Sequence, residues 1–300
     1  MRPPSALALK GASVEEWTDV HFFRPVGIRL ARALAPTRAT ADQVTVAGLL
    51  VGLVAGHLLF YERVWVNLAG VALFVVSDLF DSADGQLARL KGSSTRFGRV
   101  LDGLSDTLRF LNLYVHLFVR LVLAAGWGWP ALVLVAVAIW SHSLQGAAVD
   151  FVKNAYLELS ADGGGETDLP EDFEPGGGGA AMPRLARRLY RAYVRRQVTM
   201  FPVTYRALQA ARRAETPAGL RVRWAERQAP LLPLLTLIAT NIRFALLAAA
   251  VLAGHVEWFL VVTAVPMNLI LVVAVVLHER NAAALTRDRP RGAGVPAVAD

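Results

Sequence analysis

The sequence predicts an all-α, polytopic membrane protein: six transmembrane helices preceded by an amphipathic helix at the interface. Three observations carry that expectation. Of the 300 residues, 55% are hydrophobic and only 18% charged, with mean hydropathy +0.42, which is more apolar than an ordinary soluble domain. Several apolar runs approach or exceed the about 20 residues a helix needs to cross a bilayer. Those runs are rich in Ala, Leu and Val and lack the two-residue alternation of a membrane β-strand.

The elements follow in order. Residues 1–40 place arginines between apolar residues, and Glu15–Pro36 reads equally as a helix on the membrane surface or one packed on protein. No apolar segment with a small-residue cleavage site opens the chain, so no cleavable signal peptide is expected. The six spans fall near Val44–Tyr61, Val66–Leu90, Val100–Ala125, Pro130–Val152, Leu231–Leu252 and Trp258–Leu277. The short connections YERVW, GWGWP and GHVEW supply interfacial tryptophans. This divides the chain into an interfacial segment (1–40), spans one to four (41–152), an insertion (153–230), spans five and six (231–279) and a tail (280–300).

Charge sets the orientation. The N-terminal arm, the Lys91–Arg99 loop, the insertion and the tail are all basic, whereas the connections on the other side carry one arginine, Arg63. The positive-inside rule puts both termini in the cytoplasm, in the inner or plasma membrane. The net charge of +7 comes almost wholly from arginine, and at this hydropathy anionic lipid headgroups, not nucleic acid, are the expected partner. The absence of cysteine removes disulfides and thiolate metal sites. Within the insertion, SADGGGETDLPEDFEPGGGG is acidic and Gly-rich, a composition that predicts disorder. Residues 184–227 are loaded with arginine and predict one or two cytoplasmic helices, with Leu185, Leu189 and Tyr193 on one face. A solvated insertion is the favoured reading there, and a regulatory or oligomer contact the alternative.

The chemistry concentrates in Asp78–Asp106, where five aspartates follow an apolar run. Ionisable groups at membrane depth are costly and usually functional. Asp81 and Asp84 are three apart and share a helix face; Asp102 and Asp106, four apart, share another. The short loop LKGSSTRFGR makes the two helices antiparallel neighbours. Clustered carboxylates in a low dielectric repel one another, and divalent cations remove that conflict. Oxygen-only ligands point to hard ions, Mg²⁺ or Mn²⁺, and two such ions clamp a phosphate well. Gly85, Ala88 and Gly98 lack bulk, and Arg89 follows on the same side. Helix packing explains small residues alone, and a helix cap explains a lone aspartate. Neither explains paired aspartates around small residues and an arginine. Asp78, one turn earlier, either lines the same cleft or is a buried, protonated carboxyl paired to a neighbour.

Spelled out, Asp81, Asp84-Gly85, Ala88-Arg89, Gly98, Asp102 and Asp106 are eight fixed positions over 26 residues. The stretch resembles the CDP-alcohol phosphotransferase (CDP-alcohol phosphatidyltransferase) family and matches its pattern at every fixed position. The resemblance implies a six-helix homodimer with cytoplasmic termini. It implies transfer of a phosphoryl-bearing group from a CDP-linked donor to an alcohol, with release of CMP. Carried over residue by residue, Asp81, Asp84, Asp102 and Asp106 would be metal ligands and Asp106 also the general base. Gly85, Ala88, Arg89 and Gly98 would form the CDP-binding surface. The stretch ATADQVT resembles the family's Thr-Pro-Asn-like segment, with Ala41 where a proline is common. On that likeness Asp42 touches the nucleotide, or else caps its helix.

The motif does not separate the family's branches. A single-motif, six-span chain of this size fits the branch that uses CDP-diacylglycerol and a polar alcohol, with inositol phosphate expected before inositol or glycerol phosphate. Choline or ethanolamine phosphotransfer to a lipid alcohol is the alternative. A phosphorylated acceptor needs cations outside the motif. Arg243, inside span five, and Lys153, ending span four beside Asn154 and Tyr156, are candidates on physical grounds alone. Arg243 reads also as an ion-pair partner, and Lys153 as a snorkelling interfacial lysine. A reading of another class is an ion-coupled transporter, but the acids cluster at one end of two helices and do not continue as a path.

Overall fold

The computed structural model describes residues 14–160, 167–174, 183–213 and 216–287, and Arg96 by its backbone alone. The expectations for the first 13 residues, for 161–166 and 175–182, and for the tail beyond 287 lie outside the described residues. Among those described there is no strand. After a π-helical turn at Asp19–Phe23 come α1 (Arg24–Leu34), α2 (Ala41–Leu58), α3 (Val64–Leu90), α4 (Arg96–Leu123) and α5 (Trp129–Leu159). A 3₁₀ turn at Pro170–Phe173 precedes α6 (Arg184–Met200), α7 (Pro202–Arg213) and α8 (Ala218–Gln228). The chain returns through α9 (Leu232–Thr236), α10 (Thr240–Leu252), α11 (Glu257–Ala264) and α12 (Pro266–Arg287).

Among the described residues, five helical stretches are long and apolar enough to cross a membrane: Ala41–Leu58, Val64–Leu90, Trp129–Leu159, Ala218–Leu252 and Glu257–Arg287. Their outer faces carry exposed apolar stripes such as Val46, Leu50 and Val54 on α2 and Val133 and Val137 on α5. Contiguous apolar surface of that kind belongs against lipid, and the protein is a multi-pass membrane protein. The remaining expected span is α4, which has the length (28 residues) but carries Arg99, Asp102, Asp106 and Arg109 in its first half. The last two spans are segmented. Pro266 has no N–H to continue the helix, and the break between α11 and α12 falls at Val265, just before it.

Local chemistry fixes the α3–α4 hairpin that carries the aspartates. Gly92 takes φ +61°, the left-handed conformation glycine adopts freely, just past the end of α3. Gly92 N then bonds Arg89 O at 3.2 Å and Ser93 N bonds Ala88 O at 2.9 Å, so two end carbonyls are satisfied as the chain reverses. Thr95 caps α4 by accepting from Gly98 N at 2.9 Å. Thr40 caps α2, with Gln43 closing the reciprocal capping box. Glycines at 48, 52 and 56 line one face of α2 and let α3 and α4 approach: a Cβ at Gly52 would stand 2.5 Å from Arg109 Cδ.

α1 packs on protein. A Cβ at Gly27 would meet Ser82 Oγ at 2.6 Å, and Ser82 Oγ donates to Phe23 O at 3.2 Å, so α1 lies along the aspartate-bearing α3. The insertion departs from expectation in two ways. Part of its acidic stretch is ordered, since residues 167–174 form the turn before α6, with Phe173 buried. And the buried face of α6 is Val194 with Gln197, whereas Leu185 is 69% and Leu189 56% exposed. Hydrogen bonds from Tyr193 and Gln197 to Asp150 of α5 set that rotation, which an apolar pattern does not register.

Candidate active site

Asp81, Asp84 and Asp102 each present one carboxylate oxygen, and these three atoms lie within 4.8 Å of one another. The three-residue spacing on α3 aims the first two together, and the tight reversal at Gly92 brings Asp102 of α4 opposite them. The Thr45 hydroxyl of α2 bonds Asp84 Oδ2 and holds that carboxylate from behind. Asp102 Oδ1 is buried and has no hydrogen-bond partner among the described residues. Three converging carboxylates and an oxygen without a donor form a set that suits a hard divalent cation.

Asp106, expected as a fourth ligand, lies outside that group of three and is bonded to Arg109. Its Oδ1 accepts from Arg109 Nη2, and Arg109 Nη1 donates to Ser77 Oγ at 2.6 Å and Asp78 Oδ1 at 2.8 Å. Arg109 is only 4% exposed, and the buried cation compensates two carboxylates that would otherwise stand unpaired. Asp78 is 14% exposed and Asp106 46%, so Asp106 is the one of the pair a ligand can reach. Asp81, Asp84, Asp106 and Arg109 line one small cleft with Thr45 and Gly48. Asp78 therefore has its partner in Arg109, one of its two expected roles. Arg109 itself lies three residues past the last motif aspartate, and the aspartate pattern does not point to it. The rule that marks Arg243, an arginine within a span, applies to it equally and could have found it.

The small residues leave room beside Arg89 and Asp42. Setting aside its chain neighbours and the helix's own backbone, a Cβ placed on Gly85 would have Arg89 Nη1, at 3.8 Å, as the only atom within 4 Å among the described residues, and Ala88 is half-buried beside it. A Cβ on Gly98 would lie 3.8 Å from Asp42 Oδ1. The structure thus places Asp42 at the α4 end of the hairpin, and Thr40, not Asp42, is the cap. The two acceptor candidates do not line the aspartate cleft. Arg243 Nη2 donates to Gln145 Oε1 and Ile238 O, and Gln145 donates onward to Asn268 Oδ1 at 2.8 Å and to Thr263 O at 3.0 Å. That network ties α5, α10, α11 and α12 together. Lys153 Nζ lies 3.1 Å from Glu16 Oε1 in the N-terminal segment.

Comparison with known proteins bears on the same stretch. Residues 38–171 match the family described as CDP-alcohol phosphatidyltransferase. Similar curated proteins include a phosphatidylinositol phosphate synthase of Mycobacteroides abscessus, 37% identical over 140 residues, covering 45% of this chain and 59% of that protein. Another, of Mycolicibacterium smegmatis, is 37% identical over 90 residues, covering 30% of this chain and 37% of the relative. An archaetidylinositol phosphate synthase of Pyrococcus horikoshii is 35% identical over 80 residues, 27% of this chain and 41% of the relative. The chain therefore matches between about two fifths and three fifths of these relatives' own lengths. The segment that builds the aspartate cleft is thus similar to the CDP-alcohol phosphatidyltransferase family.

Proposed function

We propose that the protein transfers a phosphatidyl group from CDP-diacylglycerol to the hydroxyl of a polar alcohol, inositol phosphate first among them, and releases CMP. The observation that carries the reading is the convergence of Asp81, Asp84 and Asp102, inside a segment matched to this family. The relatives, named as phosphatidylinositol phosphate and archaetidylinositol phosphate synthases, support the acceptor. With Mg²⁺ or Mn²⁺ bound, two ions in this reading, the site would neutralise the donor's diphosphate and stabilise charge on the departing CMP. Asp81, Asp84 and Asp102 would hold them, and Asp106 would join on release from Arg109.

The chain's own groups do the rest. Arg89, beside the open face of Gly85 and Ala88, meets a phosphate oxygen of the donor. Asp106 takes the proton of the acceptor hydroxyl. The acceptor oxygen bonds to the phosphorus that carries diacylglycerol, the anhydride bond to CMP breaks, and CMP leaves with the electron pair. Arg109 holds Asp106 at the cleft until that release. Lys153 is a cation for the acceptor's phosphate, which would exchange with Glu16. Arg243 supports this wall from behind through Gln145. The same reading puts both termini in the cytoplasm of the inner or plasma membrane, α6–α8 against anionic headgroups, and the chain in a homodimer.

The test is CMP release by the purified protein with Mg²⁺ or Mn²⁺. CDP-diacylglycerol is offered with inositol phosphate, inositol and glycerol phosphate, and CDP-choline or CDP-ethanolamine with diacylglycerol. Release with CDP-diacylglycerol and inositol phosphate supports the proposal. Release only from a soluble CDP-alcohol overturns the choice of donor. Failure to release CMP or to bind CDP under any pairing overturns the transfer reading itself.

A further inference from the structure

The insertion is fastened to the half of the site carried by α4. Gly98, Asp102 and Asp106 occupy the first turns of that helix, at the tip of the α3–α4 hairpin. Helix ends fray unless something beyond the helix holds them. Here the contacts come from the insertion. Arg99 Nη2 donates to Asp168 Oδ1 at 3.2 Å, and Tyr190 Oη, from α6, donates to Asp168 Oδ2 at 3.0 Å. Asp168 is buried, so this pair is less screened than a surface one. Val100, the next residue of α4, is buried with Phe173 and Val194 in a small apolar cluster of its own. α6 is anchored in turn on α5. Gln197 Nε2 donates to Ala147 O at 3.1 Å and Asp150 Oδ2 at 3.0 Å, and Arg196 Nη1 donates to Ser143 Oγ at 2.8 Å. A continuous chain of contacts therefore runs from α5 through α6 and residues 167–174 to the tip that carries the aspartates.

We propose that α6 and the 167–174 turn form a brace for the catalytic half on α4, with Asp168 as a positioning residue that acts through Arg99. A solvated linker would leave Asp168, Phe173 and Val194 in water; all three are buried against elements far away in sequence. As a brace, the insertion holds Asp102 and Asp106 at the distance from α3 that the site requires. Its effect on catalysis rests on the transfer reading above, whereas the docking of the insertion on α4 does not.

The experiment uses the full chain in lipid nanodiscs. Asp168→Asn should raise the Mg²⁺ concentration for half-maximal CMP release and lower kcat, each by about tenfold, with the acceptor KM unchanged, because small misplacements of positioned groups are costly in rate. A variant that merely destabilised the fold would scale kcat with the folded fraction and leave the Mg²⁺ midpoint in place. A wild-type midpoint in Asp168→Asn overturns the brace. A second arm holds if that variant folds poorly. The chain has no cysteine, so Arg99→Cys with Asp168→Cys introduces the only two thiols. A short bifunctional thiol reagent should join them within one chain and restore the wild-type Mg²⁺ midpoint. Failure to join, when each single-cysteine control is labelled, overturns the docking. Joining without restoration overturns the positioning role. Joining in a protein that releases CMP from no substrate pair leaves the docking standing and removes the transfer reading.

Discussion

Among the described residues two arginines lie buried within the bundle, and their surroundings differ. Arg109, 4% exposed, faces two carboxylates, Asp78 and Asp106, across α3 and α4. Arg243, 1% exposed, is held by an amide oxygen and a backbone carbonyl, Gln145 Oε1 and Ile238 O. Both are costly at membrane depth. What matches each cost is different. The carboxylates around Arg109 include one that stays open to the cleft, so its charge is part of the site's electrostatics. The partners of Arg243 are neutral and internal, so it joins helices and leaves the cleft to others. A buried charge declares its role through its partners.

The comparison sharpens through variants ranked by expected effect. The largest is outside both arginines: Asp102→Asn removes a converging carboxylate and should lower CMP release roughly 10²–10³-fold, several kcal/mol of charge stabilisation, measured at saturating Mg²⁺. Arg109→Leu comes next. It leaves Asp78 and Asp106 without their cation, and breaking a buried pair costs about 3–5 kcal/mol, to be read as a fall in thermal stability together with loss of activity. If Arg109→Leu folds normally and turns over at the wild-type rate, the contrast between the two arginines collapses. Arg243→Met should cost less, about 1–3 kcal/mol from the orphaned Gln145 oxygen, with turnover of the folded fraction within about threefold. A collapse of turnover in a well-folded Arg243→Met would place that arginine in the site after all.

Smaller effects probe the packing behind Arg109. Gly52→Ala would push a methyl against the Arg109 side chain and should destabilise by about 1–3 kcal/mol. Gly103→Ala, where no described atom beyond its chain neighbours and the helix's own backbone lies within 4 Å of the added Cβ, should instead raise thermal stability by about 0.5–1 kcal/mol in the same assay. Equal responses at the two glycines would show that the close approach of α2 to α4 is not constrained at Gly52. The smallest expected loss is Thr40→Ala, about 1 kcal/mol, from removal of the α2 capping box.

The order of elements could be read without coordinates. Apolar runs long enough to span gave the helices, and Thr40, Gly92 and Thr95 are of residue types that favour the ends and turns they occupy. The aspartates announced themselves because their spacing is helical and their cost in a membrane is high. These are local properties of the chain, so the sequence determined them alone: an all-helical membrane protein with a carboxylate-bearing hairpin, and a resemblance to one family. Partners were not legible. That Asp81, Asp84 and Asp102 converge while Asp106 turns to Arg109 depends on side-chain directions across two helices. That Arg243 meets Gln145 joins residues 98 apart in sequence. The insertion shows the limit most clearly. Its α6 settles on Tyr190, Val194 and Gln197 and leaves Leu185 and Leu189 exposed, because hydrogen-bond partners on α5 and the 167–174 turn outweigh its apolar pattern. Tertiary structure decided those pairings, since a hydrogen bond needs two groups at one distance and angle, and one-dimensional spacing fixes only one of the two.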